Sequence, residues 1–484
     1  MKKRIYKAPF LLYNPVLDFV TEGVFFMKTV QHDMTSGSPM KMILSFTFPI
    51  FIGNVFQQFY NMADTVIVGK FVGTKALAAV GSTGTIMFLI YGFVVGMTAG
   101  FTVLTAQKFG AGDMKAMRQT VAGASILSLI VGLILTAAFM ILMKPWLMAM
   151  NTPADIFADA YAYIMIVSAG ILAQMLYNLL ASILRALGNS KVPLYFLILS
   201  ALLNIVLDLV LIIVFHMGAA GAAVATVVSQ GVSGLLCLIY IAKCVPVLRM
   251  SRDDWRPSGY LLKTQIRIGI PMALQYSITA IGTMMVQSSL NILGSTLVAA
   301  YTAANKIEQV VSQAYVALGT TLATYSAQNI GAGDVPRIRQ GFKATTWIGV
   351  IYSFAAAALV MTVGKYMTYL FVSEDVELIM GSVDLYLKCA GSLFIPLAIV
   401  NIYRNGIQGL GYGLLPMMAG VAELVGRGVM SVIAAQQKSY FGVCLASPAA
   451  WVLAAALLIG MYFYVIKIDL KKIFPGQKSG NDLS

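Results

Sequence analysis

The stretch from Phe48 to Gly69, FPIFIGNVFQQFYNMADTVIVG, is apolar and long enough to cross a bilayer, yet it carries an acid, Asp64. At helical spacing Asn54, Gln57, Asn61 and Asp64 share one face, with Tyr60 one turn before the acid, while Phe51, Phe59 and Val66 cover the rest. A charge facing lipid at that depth costs at least about 2.5 kcal/mol, so this face looks into a protein cavity reached by water or ions. A second acid, Asp208 in LLNIVLDLVLII, lies one turn after Asn204. Asn178 and Thr226 are further oxygen donors at membrane depth. Carboxylates, amide carbonyls and a hydroxyl are hard ligands, suited to a proton or a sodium ion and not to a transition metal. A coupling-ion site and a buried structural hydrogen-bond network both fit these residues, and spacing leaves that choice open.

The elements that position these residues follow from composition. The chain has 484 residues, 59% of them apolar and 11% charged, with a mean hydropathy of +0.82, which marks an all-α integral membrane protein. Ten-residue segments of alternating polarity are missing, which excludes a transmembrane β-barrel. Apolar runs predict twelve transmembrane helices, roughly at 42–69, 77–106, 120–143, 158–184, 192–215, 219–242, 266–293, 297–326, 342–364, 378–403, 414–436 and 443–466. The net charge of +14 is topological. Lys and Arg gather in alternate connections, among them Lys108, Lys115 and Arg118, Arg185 and Lys191, Arg249 to Arg267, Arg337 to Lys343, and Arg404. By the positive-inside rule both termini are cytoplasmic in a multi-pass protein of the plasma (inner) membrane, and nucleic acid is excluded as a partner. Cys237, Cys244, Cys389 and Cys444 have no metal or redox spacing. The N-terminus lacks a small-residue cleavage site, so the basic start is read as a cytoplasmic arm with an interfacial helix around residues 12–27.

One unit is used twice. QKFGAGDMKAMRQ at 107–119 and QNIGAGDVPRIRQ at 328–340 share Gln, Gly-Ala-Gly-Asp and Arg-Gln, and Pro49, Leu187-Gly188 and Pro193 have counterparts in Pro271, Leu410-Gly411 and Pro416. An even number of spans separates the copies. Two six-helix bundles related by a parallel pseudo-two-fold repeat therefore flank a central cleft. The expected organisation is an arm at 1–41, a first lobe at 42–243, a linker at 244–264, a second lobe at 265–467 and a cytoplasmic tail at 468–484. Pro49 and Pro271 lie within the first helix of each lobe, where a proline either kinks the helix statically or provides a hinge. The GAGD turns lack the Lys and Ser/Thr of a phosphate loop and read as structural, with Asp113 and Asp334 as helix caps.

The second lobe carries Lys306, Glu308, Glu423 and Arg427 at membrane depth. Glu423 and Arg427 are one turn apart, which suits a self-neutralising pair. Plentiful Met, Phe and Tyr (28, 25 and 23) suit an adaptable pocket for apolar cations, although most must face lipid or helix neighbours.

Together, DTVIVG at 64–69, the QKFGAGD and QNIGAGD turns, and RALGNSKVP at 185–193 followed by NIVLD resemble the multidrug and toxic compound extrusion (MATE) transporters over nearly all of residues 40–467. The resemblance implies two bundles forming a V, alternating access, no cofactor, and export of organic cations against an inward flow of sodium ions or protons. It also implies a first-lobe cation site on Asp64, Asn178, Asn204, Asp208 and Thr226, with Tyr60 and Gln57 lining the adjacent cavity. Some relatives carry a second-lobe glutamate where this chain has Thr279, which shifts the weight of coupling onto Asp64 and Asp208.

The function expected is that of a monomeric secondary antiporter whose partners are a small organic cation and the surrounding lipid, not an enzyme. Asp64 is its switch, Asp208 and Asn204 are partners of that switch, Asn61 joins the cavity wall, and Pro49 is the hinge. No metal is expected beyond a sodium ion at the coupling site. A flippase for a lipid-linked saccharide is the alternative; it would want a cationic cleft, for which the sequence suggests chiefly Lys306 and Arg427. An intramembrane prenyl transferase would need Asp-rich metal motifs, which the sequence lacks.

Overall fold

A computed structural model of the chain describes residues 33–150, 152–370 and 376–470. The interfacial helix expected around 12–27 and most of the tail fall outside the described residues. Among those residues the regular structure is helical throughout. The first half comprises α1 (Pro39–Phe71), α2 (Thr74–Gly110), α3 (Met114–Ala149), α4 (Phe157–Ala169), α5 (Ile171–Ala186), α6 (Lys191–Leu209) and α7 (Gly218–Cys244). The second comprises α8 (Gly259–Asn291), α9 (Ser295–Gly331), α10 (Val335–Val363), α11 (Val376–Ser392), α12 (Phe394–Gly409), α13 (Leu414–Gln436) and α14 (Tyr440–Tyr464).

The repeat is visible in the lengths. Helices α1 and α8 have 33 residues each, and α2 and α9 have 37 each. The spans predicted at 158–184 and 378–403 are each a pair of helices, bent by 46° between α4 and α5 and by 52° between α11 and α12. Gly170 marks the first bend because α7 packs into it: a Cβ there would stand 2.2 Å from Val227. Among the described residues nine single helices and these two pairs are apolar enough to cross a membrane. The twelfth element, α9, is more polar. It packs against α1, α2, α10, α11 and α12, which bury Glu308, Thr321, Gln328 and Asn329 among its polar side chains.

The first helix of each half crosses into the other half. On α1, Ile43, Phe46 and Ile50 join the core formed by Tyr315, Leu318 and Leu322 of the second half, whereas Ile67 and Val68 pack within the first. Reciprocally, Gln265 of α8 donates from Nε2 to the carbonyls of Phe101 (2.9 Å) and Thr120 (2.7 Å). Pro49 and Pro271 are buried in continuous helices near these crossings.

Two side chains clamp the segments that lead into α1 and α8. Arg337 donates to the carbonyls of Ser36 (2.9 Å), Gly37 (2.8 Å) and Met34 (3.2 Å). Arg118 pairs with Asp254 at 3.0 Å, in the linker before α8. The Asp254 carboxyl is held below the ordinary carboxylate range by the main-chain N–H and hydroxyl of Ser251, and further by Arg118.

Two outcomes are expected. Arg337→Ala should cost roughly 1–3 kcal/mol of stability, seen as a lower melting temperature in detergent. Because the folded-state pKa of Asp254 is depressed, its contribution is present above the unfolded value and is lost as pH falls through the folded one. Asp254→Asn should therefore melt below wild type around pH 7, with the gap closing towards about pH 3.

Candidate functional site

Helices α1, α6 and α7 bring the first-half polar residues together. Asp64 lies on α1 and Asp208 on α6, two helices that pack against each other. Asn204 and Asp208 are fully buried on one face of α6. The Asn204 amide donates to the Thr226 hydroxyl (3.3 Å), which also meets the Tyr60 hydroxyl (3.4 Å). Asp64 Oδ1, both Asp208 carboxyl oxygens and Asn204 Oδ1 are buried without a hydrogen-bond partner in the described structure. Such a cluster of acceptors lacks positive charge, which a proton or a monovalent cation would supply. Immediately after Asp208 the helix passes into a π-helical turn, Val210–Val214, an irregularity common at functional sites and not legible in this apolar run.

Not every predicted residue joins the cluster. Asn178 turns its amide to the carbonyl of Gln174 (2.8 Å) and lines the neighbouring cavity. Asn61 is exposed and lies outside the cavity wall. Gln57 is on that wall, bonded to the Tyr91 hydroxyl, while Tyr60 lines a smaller space beside it. Asp64 thus sits one helical turn beyond Tyr60, and neither it nor Asp208 lines the cavity.

The central cavity, about 380 Å³, lies between the halves. Tyr91 and Tyr177 of the first half and Tyr276 of the second line it, with Thr279 also on the wall. At the end bearing the GAGD turns the halves are closed. A Cβ on Gly110 would stand 2.0 Å from the Gln328 carbonyl oxygen, and one on Gly331 would stand 1.9 Å from that of Gln107. Two equivalent bonds latch this end: Gln107 Nε2 to the Gly409 carbonyl (3.1 Å) and Gln328 Nε2 to the Ala186 carbonyl (2.8 Å). Above the latch, α2 and α8 cross closely along Gly92, Gly96 and Gly100; a Cβ on Gly100 would be 2.5 Å from the Gly269 Cα. Towards their opposite ends the same helices line a shallow gap between Thr85 and Phe88 on α2 and Thr283 and Asn291 on α8.

The buried charges of the second half differ from the sequence reading. Arg404 belongs to no connection; it is buried inside α12, because α12 continues to Gly409. It pairs with Glu423, whose other oxygen meets Arg427 at 3.2 Å, so the expected pair is a triad. Arg185 likewise lies within α5 and faces the cavity. Lys306 is exposed, and neither it nor Arg427 lines the central cavity. Buried Glu308 accepts from the Tyr386 hydroxyl, which in turn accepts from Asn305 (3.1 Å). The latching glutamines were present in the repeat, and the glycine stripe at 92, 96 and 100 was readable as a close-packing signal. The cavity arginines carried no such signal.

The MatE family model matches residues 49–210 and 268–433. A Bacillus subtilis relative, "Probable multidrug resistance protein YpnP", is 32% identical over 379 residues, 78% of this chain and 83% of the relative. A structure described as MATE in complex with MaL6 superposes with a TM-score of 0.86 at 23% identity, covering 92% of this chain and 100% of the other. A MOP superfamily transporter from Pyrococcus furiosus, described as having a reverse polarity of binding pocket that suggests a different function, gives 0.85 at 24% identity over 91% and 99% of the two chains.

Removing the hydroxyl shared by Tyr60 and Asn204 tests the cluster. Thr226→Val should cost about 1–3 kcal/mol, as a lower melting temperature, because both groups lose a partner; Thr226→Ser should restore most of it.

Proposed function

This chain belongs to the MatE family of multidrug transport proteins, which are not enzymes, and from that premise we propose a secondary antiporter working by alternating access. The observation that carries this reading is the set of buried acceptor oxygens on Asp64, Asp208 and Asn204 that lack partners, on the helices that join Tyr60 and Thr226 behind a wall of the cargo cavity. A proton or a sodium ion neutralises the two acids. Occupancy of the pair is felt at Tyr60 and Thr226, and so at the cavity wall. A coupling ion shifts the two orientations only through different affinity for each, and the crossing of α1 between the halves gives the acid-bearing helix leverage on both. Pro49, near that crossing, is the hinge in this scheme.

The latch at Gln107 and Gln328 lies at the end where the basic connections gather, the cytoplasmic side by the positive-inside rule. The orientation described is therefore the outward-facing one, with both termini in the cytoplasm of a plasma-membrane protein that works as a monomer. A cavity of about 380 Å³ fits one drug-sized molecule. That size favours a small cargo over a lipid-linked saccharide, although the flippase reading gains two cleft cations it lacked, Arg185 and Arg404. The expectation of an organic cation rested on Met and aromatic residues; a cation here would meet tyrosine rings but no carboxylate on the described wall.

The test is transport in proteoliposomes under an imposed proton gradient and then a sodium gradient, with ethidium in one set and riboflavin 5′-phosphate in another. Wild type should move at least one probe under one gradient. Asp64→Asn should lose that movement by at least about tenfold, the scale of a typical coupling free energy, while still binding the probe. Gradient-driven movement preserved in Asp64→Asn would overturn the assignment of the switch.

A further inference from the structure

We propose that the cavity between the halves recognises an organic anion: an aromatic molecule whose phosphate or carboxylate is held between Arg185 and Arg404. This rests on the reading of that cavity as the cargo site, and it replaces a cation as the expected cargo. Among the described wall residues the charged ones are Arg185 and Arg404, with no Asp or Glu. Arginine stays protonated, so both charges are fixed whatever the coupling ion does.

Neither charge is fully cancelled locally. Arg185 donates to the Ser182 hydroxyl at 3.0 Å, and among the described residues it forms no ion pair. Arg404 is 8% exposed and shares the single carboxylate of Glu423 with Arg427, so two guanidiniums meet one acid. The Arg404 Nε is left buried without a partner, and so is the Asn54 Nδ2 on the facing wall. Buried donors of this kind are costly unless a ligand or water completes them. A phosphate or carboxylate offers several acceptor oxygens and matches the planar fork of a guanidinium.

The placement adds a second argument. Arg185 ends α5 of the first half and Arg404 lies on α12, the equivalent helix of the second. An anion bridging them contacts both halves at once, while Tyr91, Tyr177 and Tyr276 provide flat surfaces for an attached ring. For an organic cation the same two charges are repulsive, and repulsion is what excludes a wrong cargo. The negative groups of the first half, Asp64 and Asp208, stand outside this wall, so the coupling ion and an anionic cargo occupy sites of opposite sign.

Binding to the full chain in detergent micelles, followed by fluorescence anisotropy, tests the assignment without any gradient. Riboflavin 5′-phosphate and riboflavin differ only in the phosphate, and ethidium supplies the cation. The phosphate should bind at least about tenfold tighter than riboflavin, and its advantage should shrink as salt rises. Arg185→Gln and Arg404→Gln should each remove most of that advantage while leaving riboflavin within about threefold. Should Arg404→Gln fail to fold, Arg404→Lys keeps the charge without the fork and should retain part of the advantage. Riboflavin binding as tightly as its phosphate, neither probe binding, ethidium binding more tightly than the phosphate, or a phosphate preference that survives both substitutions would each overturn the proposal. A chain that binds the phosphate with this pattern yet moves nothing under either gradient keeps the anion site and overturns antiport.

Discussion

The contact of Gly110 with the main chain at Gln328, and of Gly331 with that at Gln107, fixes how the two halves meet. Only residues without a side chain let the ends of α2 and α9 approach so closely. Once these ends touch, Gln107 and Gln328 reach the last carbonyls of α12 and α5, groups that a helix terminus leaves unpaired. The bonds are equivalent because the halves are copies. With one end closed by main-chain contact, Phe88 lines both the cavity and the gap towards the other end. A mechanism of alternating orientation then needs no new surface. It needs this contact to release while another forms.

Lipid imposes the second constraint. Among the described residues buried Glu308 is met by Tyr386, and Glu423 by Arg404 and Arg427, whereas the carboxyl oxygens of Asp208 lack a partner. These groups do not share one site. The acids of the first half lie behind Tyr60, whereas the arginines face the space between the halves. The crossing of α1 between the two cores gives a mechanical link between them, since the helix that carries Asp64 begins in the packing of the second half.

Much of the fold was legible in the sequence because its determinants are local. Run length fixes which segments can span a bilayer, the recurring GAGD turns fix the repeat, and helical spacing places Asp64 one turn beyond Tyr60 and Asp208 one turn beyond Asn204. The bend at Gly170 was not legible, since it depends on Val227 of α7 packing into the helix. The same reason explains the arginines. Arg185 and Arg404 stand near the ends of apolar runs, where a cation ordinarily marks a cytoplasmic connection, and only the continuation of α12 and the carboxylate of Glu423 on α13 draw Arg404 inward.

By itself, then, the sequence determined a membrane-embedded, duplicated helical chain with two intramembrane acids on defined helix faces. Tertiary structure alone decided which of the polar faces meet. It set the helix of Asp64 against that of Asp208, turned Asn178 and Asn61 elsewhere, and turned two arginines towards the cavity. Spacing along a helix sets direction about its own axis, whereas contact between helices depends on the packing of surfaces far apart in the chain.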